Sequence, residues 1–251
     1  MMNKYFLRLS IHFITYCSIL IGQKIVNMNG TYDLDGDNML EFVSLELNPN
    51  KDIFPKLVRY YEIDADGYQT IMWEFIPPVA LEGDFVDAKV GDVNGDGVPE
   101  LVVVMNLTRF GDNNSPHVFI ATYDWDGTHF SEIPSASLDI GKENRSLRCN
   151  NFQLLDQDAD GEQEIVLSLG SPFRGFAIVG SSPSGLSIVK KIRPDQLLVG
   201  SGLLYVAALD YDYDGYDDVI AFSPDGKILK AQPFYNIGGV FDSGHLVKKE
   251  V

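Results

Sequence analysis

The stretch "LDQDADGEQEIVLSL", Leu155–Leu169, places carboxylates at Asp156, Asp158, Asp160 and Glu164 and then turns apolar. Like charges packed a few ångströms apart repel by about 1 kcal/mol per pair even in water. Four acids at offsets 0, +2, +4 and +8 around a glycine at +5 therefore suit a cation that cancels them just before a strand begins.

The pattern recurs. "YDLDGDNMLEFVSLEL" from Tyr32, "GDVNGDGVPELVVVM" from Gly91 and "LDYDYDGYDDVIAFS" from Leu209 align with it on their first acids. They supply Asp33, Asp35, Asp37 and Glu41; Asp92, Asn94, Asp96 and Glu100; and Asp210, Asp212, Asp214 and Asp218. In chain order the first acids are 59, 64 and 54 residues apart (33 to 92, 92 to 156, 156 to 210). Such a period is the mark of a repeat architecture. A second landmark follows each loop by about 30 residues, a glycine turn between β-prone runs. These turns are "DADGY" (Asp64–Tyr68), "DWDGT" (Asp124–Thr128), "SPSGL" (Ser182–Leu186) and "NIGGV" (Asn236–Val240). With only two acids before the glycine, Asp64/Asp66 and Asp124/Asp126 read as turn residues.

Each unit reads as four strands. The second gives "DFVDAKV", "ELVVVMN", "HVFIATYD" and "THFSEI"; the third "NNFQLL", "EIVLSL", "GFAIVG" and "LSIVKKI"; the fourth "LLYVAAL", "DVIAFS", "KILKAQPF" and "VFDSGHLV". No helical period is sustained beyond the N-terminal segment. The expected fold is all-β, a β-propeller of four-stranded antiparallel blades with four repeats visible. The approximate blades are 24–81, 82–139, 140–193 and 194–251.

The offsets choose among metal loops. A helical 12-residue calcium loop needs a bidentate Glu at its twelfth position. Eleven residues beyond each first acid stand Ser44, Val103, Leu167 and Ala221, which do not serve. Side-chain oxygens at 0, +2, +4 and +8, with a carbonyl near +6, supply the 6–8 hard ligands that Ca²⁺ accepts. Gly97, Gly161 and Gly215 stand at +5 for the sharp turn, whereas the first loop has Asn38 there and Gly36 at +3. Mg²⁺ demands stricter geometry, and no Cys/His cluster exists for zinc.

This arrangement resembles the FG-GAP/VCBS repeat family, the calcium-loop propellers found also in integrin α-subunit heads. The loop match covers nearly the whole chain beyond the N-terminal segment, although the flanking "FG" and "GAP" signatures are not clearly present. The resemblance implies up to four calcium ions, held by the sixteen side chains named above and by the carbonyls of Met39, Val98, Glu162 and Tyr216. It also implies that the calcium is structural and that other loops recognise partners. The family often closes with seven blades, so four units leave open a four-bladed disc or a share in a larger assembly.

Composition bounds the rest. With 19 Lys+Arg against 36 Asp+Glu the formal charge is −17, which disfavours nucleic acid and anionic membrane surfaces as partners. Residues 1–22, with Lys4 and Arg8 before the apolar "LSIHFITYCSILIG", read as a signal peptide or, left uncleaved, an anchor. The expected location is secreted, periplasmic or cell-surface. Cys149 would then lack a disulfide partner and reads as a small buried hydrophobe. "NGT" at Asn29, "NLT" at Asn106, "NNS" at Asn113 and "NRS" at Asn144 match the N-glycosylation pattern.

The expected function is an exported, non-enzymatic recognition or adhesion module for a protein or glycan at the cell surface. "NLTRFGDNNSPH" (Asn106–His117) and "GSPFRGF" (Gly170–Phe176) are the candidate recognition loops, each with an arginine and an aromatic. His117, His129 and His245 have no nucleophile or metal-ligand spacing around them and read as exposed turn residues, so no hydrolytic or lyase activity is expected. The alternatives are a secreted polysaccharide-cleaving enzyme and a structural spacer in a larger surface assembly.

Overall fold

A computed structural model describes residues 25–46, 57–76, 83–107, 117–140, 147–194, 204–225 and 228–250. The candidate signal segment, most of the Asn106–His117 loop, Asn113 and Asn144 lie outside the described residues.

Among the described residues there is no helix, and none long and apolar enough to cross a membrane. The first sheet orders β1 (Ile25–Tyr32), β2 (Leu40–Glu46), β3 (Leu57–Ile63) and β4 (Gln69–Phe75). The second orders β5 (Gly83–Gly91), β6 (Glu100–Leu107), β7 (His117–Tyr123) and β8 (Ala136–Ile140). The third orders β9 (Cys149–Leu155), β10 (Glu164–Leu169), β11 (Gly175–Gly180) and β12 (Ser187–Ile192). The fourth orders β13 (Tyr205–Leu209), β14 (Asp218–Asp225), β15 (Ile228–Ile237) and β16 (Val240–Ser243), with β17 (Val247–Glu250) beside β15. All pairings are antiparallel. The four sheets are the blades of a β-propeller. Consecutive blades meet through their first strands, β5 against β1 and β2, β9 against β5 and β6, β13 against β9 and β10. No comparable packing joins the fourth blade to the first among the described residues, so the sheets do not close into a ring there.

The apolar runs explain this stacking. Side chains alternate faces along a strand, so a strand covered on both sides must be apolar at every position. On β6, Leu101, Val103 and Met105 enter the core shared with the first blade, while Val102 and Val104 enter the core shared with the third. On β10, Ile165, Leu167 and Leu169 face the second blade and Val166 faces the fourth. The outermost strand β12 ("SIVKKI") instead alternates exposed and half-buried positions. The first interblade core is aromatic, with Tyr60, Trp73, Tyr123, Trp125 and Phe130 in tilted and edge-to-face contacts at 5.0–5.8 Å.

Two expected strands differ. "THFSEI" is not the fourth strand of the second blade. Phe130 is fully buried in the aromatic core and bridges Trp125, and the chain passes Pro134, which cannot donate to a ladder, before β8 begins at Ala136. "VFDSGHLV" is broken at Gly244, whose N–H donates to the Pro233 carbonyl (2.8 Å); β16 and β17 then pair with successive halves of β15.

Candidate functional site

The four acidic loops occupy one topological position, between the first and second strands of each blade, and therefore lie at one end of the stack. Their internal hydrogen bonds repeat. The first acid accepts from the N–H at +5: Asn38 to Asp33 (3.3 Å), Gly97 to Asp92 (2.8 Å), Gly161 to Asp156 (3.0 Å), Gly215 to Asp210 (3.1 Å). The acid at +4 accepts from the N–H at +6: Met39 to Asp37 (2.7 Å), Val98 to Asp96 (2.8 Å), Glu162 to Asp160 (2.8 Å), Tyr216 to Asp214 (3.0 Å). The acid at +8, already in the second strand, accepts from the N–H at +1: Leu34 to Glu41 (2.8 Å), Val93 to Glu100 (2.9 Å), Gln157 to Glu164 (3.0 Å), Tyr211 to Asp218 (3.0 Å). The acids thus shape the loop through backbone N–H groups, and Asp92, Asp156 and Asp210 do so with both oxygens.

The backbone requires two left-handed residues per loop. Those at +5 are Asn38, Gly97, Gly161 and Gly215; those at +3 are Gly36, Gly95, Ala159 and Tyr213, with φ of 76°, 74°, 60° and 64°. The sequence reading found only the +5 position. The variety at +3 hid the other.

Carboxylate oxygens come within 4.8 Å of one another in four groups: Asp33, Asp35, Asp37 and Glu41; Asp92, Asp96 and Glu100; Asp156, Asp158 and Asp160; Asp210, Asp212 and Asp218. Glu164 and Asp214 stand outside these groups, held by the bonds just described. Asn94 joins the second loop through its amide, which donates to Glu100 (2.8 Å) and Asp96 (3.3 Å). Burial pushes the carboxyls of Glu100 and Glu164 up to about 7, with neighbouring carboxylates adding to it, and raises Glu41 for the same reasons. Glu41 is 1% exposed and its Oε1 has no hydrogen-bond partner. A buried acceptor left unpaired at the edge of a carboxylate group is what a bound cation would satisfy.

The loops also touch each other. The Gln163 N–H donates to the Asp92 carbonyl (2.7 Å), and Asn236 donates its side-chain amide to the Gln157 carbonyl and its backbone N–H to Asp218 Oδ1 (2.7 Å). Further from the loops, asparagine amides act as short strands between blades. Asn106 exchanges two bonds with Cys149 (2.9 and 2.8 Å), and Asn151 exchanges two with Val206 (2.7 and 3.0 Å). Sequence reasoning missed these. For Asn151 the signal was the Asn150-Asn151 pair inside a strand, where asparagine is disfavoured; Asn106 stands alone between Met105 and Leu107.

Other candidates fall differently. Asp64 accepts from the N–H groups of Asp66 and Tyr68 (both 2.9 Å), a turn cap. His129 and His245 are exposed, but His117 is 3% exposed, with Nε2 3.3 Å from Asp139 Oδ1. It starts β7 and faces the core side, which a local reading of "SPH" does not reveal. In the Gly170–Phe176 loop, Phe176 is fully buried core, and Phe173 is covered by Arg193, which lies 5.4 Å over its ring and donates to its carbonyl (2.8 Å). Only Arg174 remains as an exposed recognition group of the two kinds sought there. Cys149 is buried, its thiol pushed up to about 12.

The sequence model of the FG-GAP-like repeat matches residues 33–103, from the first acidic loop through the second loop into β6. Residues 33–103 belong to the FG-GAP-like repeat family. No curated protein matches the chain. Solved structures share the fold of this chain. A protein from Lactobacillus plantarum aligns at 13% identity and TM-score 0.52, over 88% of this chain and 55% of that one. An exo-β-1,3-galactanase from Phanerochaete chrysosporium aligns at 11% and 0.53, over 88% and 49%. A β-fructofuranosidase from Schwanniomyces occidentalis aligns at 10% and 0.53, over 92% and 48%. The chain spans about half the length of these structures.

The comparison corrects one expectation. The chain was expected to be non-enzymatic because no catalytic motif stands outside the acidic loops. Its blade arrangement is shared with two glycoside-cleaving enzymes, so the lack of a local motif is no argument against activity. On a propeller, residues from different blades meet at strand ends, and their spacing along the chain carries no signature.

Proposed function

We propose that this chain is the propeller part of an exported protein that acts on polysaccharide, with calcium in its acidic loops. The observation that carries the reading is the alignment of 88–92% of the chain with two propellers whose names record saccharide cleavage. The donor set supports the metal. Every side chain at the loop positions offers oxygen, the class preferred by Ca²⁺ and Mg²⁺, and Glu41 Oε1 is buried without a partner. Asp33, Asp35, Asp37 and Glu41 would hold the first ion, with the corresponding residues of the other three loops holding theirs. A bound ion supplies charge neutralisation and fixes the entry of each second strand.

The test is release of reducing sugar by the purified protein from a β-1,3-galactan, a β-fructan and polygalacturonate in calcium-containing buffer. Release from at least one substrate is expected. No release from any of them, together with no retention on them, would overturn the reading.

A further inference from the structure

The loop-bearing end of the fourth blade differs from the other three. At +1, Leu34 packs against the first interblade core and Val93 is buried in the second, whereas Tyr211 is 49% exposed. At +3 the sister loops have Gly36, Gly95 and Ala159, and here stands Tyr213, at φ 64° and 90% exposed. A bulky side chain in the left-handed region is a strained choice, and no packing around this ring offsets it. Leu209, Ile237 and Val240 are also exposed at this end.

These residues form one patch. Asp218 binds the Tyr211 N–H through Oδ2 (3.0 Å) and the Asn236 N–H through Oδ1 (2.7 Å), which ties loop to hairpin. Ile237 pairs with Val240 in that hairpin, Leu209 pairs with Asp218, and the Tyr211 ring lies 6.2 Å from Tyr235. The rim is acidic, with Asp212, Asp214 and Asp242 exposed.

We propose that this patch is a binding surface for a neutral polysaccharide, its rings stacking on Tyr213 and Tyr211. The inference rests on the reading that the protein acts on saccharide and assigns where a chain of it lies. Sugar rings need an open aromatic face, and Tyr213 offers a face where a protein anchor would need a pocket. Carboxylates accept hydrogen bonds from sugar hydroxyls but repel uronate groups. One calcium ion offsets only two of the four negative charges of Asp210, Asp212, Asp214 and Asp218, and Asp242 adds another, so the rim stays negative and favours neutral glycans over uronates.

The experiment is calorimetric titration of the calcium-loaded full chain with a β-1,3-galactan, a β-fructan, polygalacturonate and an arginine-rich peptide. Parent, Tyr213→Gly and Tyr211→Ala are compared, with melting temperatures taken in parallel. The expected result is binding of a neutral glycan by the parent, weakened about 3- to 10-fold in each variant, with Tyr213→Gly melting no lower than the parent. Equal glycan affinity in all three proteins overturns this surface while leaving the polysaccharide reading intact. Binding of the peptide in place of glycan, lost in Tyr213→Gly, would assign the patch to a basic protein segment and overturn the proposal. Absence of both glycan binding and sugar release defeats the two readings together.

Discussion

At the scale of single residues, backbone conformation and cation chemistry can be separated. Gly161 has φ 94°, and a Cβ there would meet nothing within 4 Å. Gly161→Ala should therefore cost about 1–2 kcal/mol from the left-handed backbone alone. Gly161→Asn should cost less, because Asn38 holds the matching position of the first loop. Chemical denaturation of both variants checks the order. The acids divide in the same way. Asp158→Ala removes a member of a carboxylate group and should reduce the rise in melting temperature on adding calcium, whereas Asp66→Ala, in a hairpin turn, should leave that rise intact. Equal calcium responses in the parent and both variants would show that these loops are not metal sites.

At the scale of elements, strands hold one another through alternating faces and a few polar clamps. Asn151→Ala removes both bonds to Val206, which is 1% exposed and would keep an unpaired N–H and C=O. A loss of about 1–3 kcal/mol is expected. Asn151→Asp, which keeps the acceptor and loses the donor, should fall between; urea midpoints measure both. The fourfold loop bonds were legible as spacing in the sequence, because they join residues at most seven positions apart. The clamps join residues 43 and 55 positions apart, and no local spacing names their partners.

At the scale of the whole molecule, cations and protons compete for the same carboxylates. With a dissociation constant of ~0.1 mM and ~1 mM calcium, each site would add about 1.4 kcal/mol, and four sites about 6 kcal/mol. Net domain stability is of that order, so chelation should lower the melting temperature markedly and magnesium should restore it poorly. The pH dependence has a definite sign. Glu100 and Glu164 are raised from 4.5 to about 7, so between those values the folded chain binds protons that the unfolded chain has released. Stability in chelator should then fall as pH rises through that window. Calcium replaces the protons, and the fall should disappear when it is present; differential scanning calorimetry at pH 5 and pH 8, with and without calcium, reads both effects.

The sequence by itself determined the four repeats, the acidic loops and most of the strands, because each is written in short-range spacing: acids two residues apart, glycines at turns, apolar runs that must be covered on both faces. It also separated Asp64 and Asp66 from the loop acids, since they lack a carboxylate at +8. Only the tertiary structure decided which carboxylates converge, that Glu41 is buried with an unpaired oxygen, that His117 faces the core beside Asp139, that Phe130 and Phe176 are core, and that the described residues of the fourth blade do not close on the first. Each depends on how one sheet lies against the next. That is set by side-chain packing between residues far apart in the chain, and such contacts leave no periodic trace.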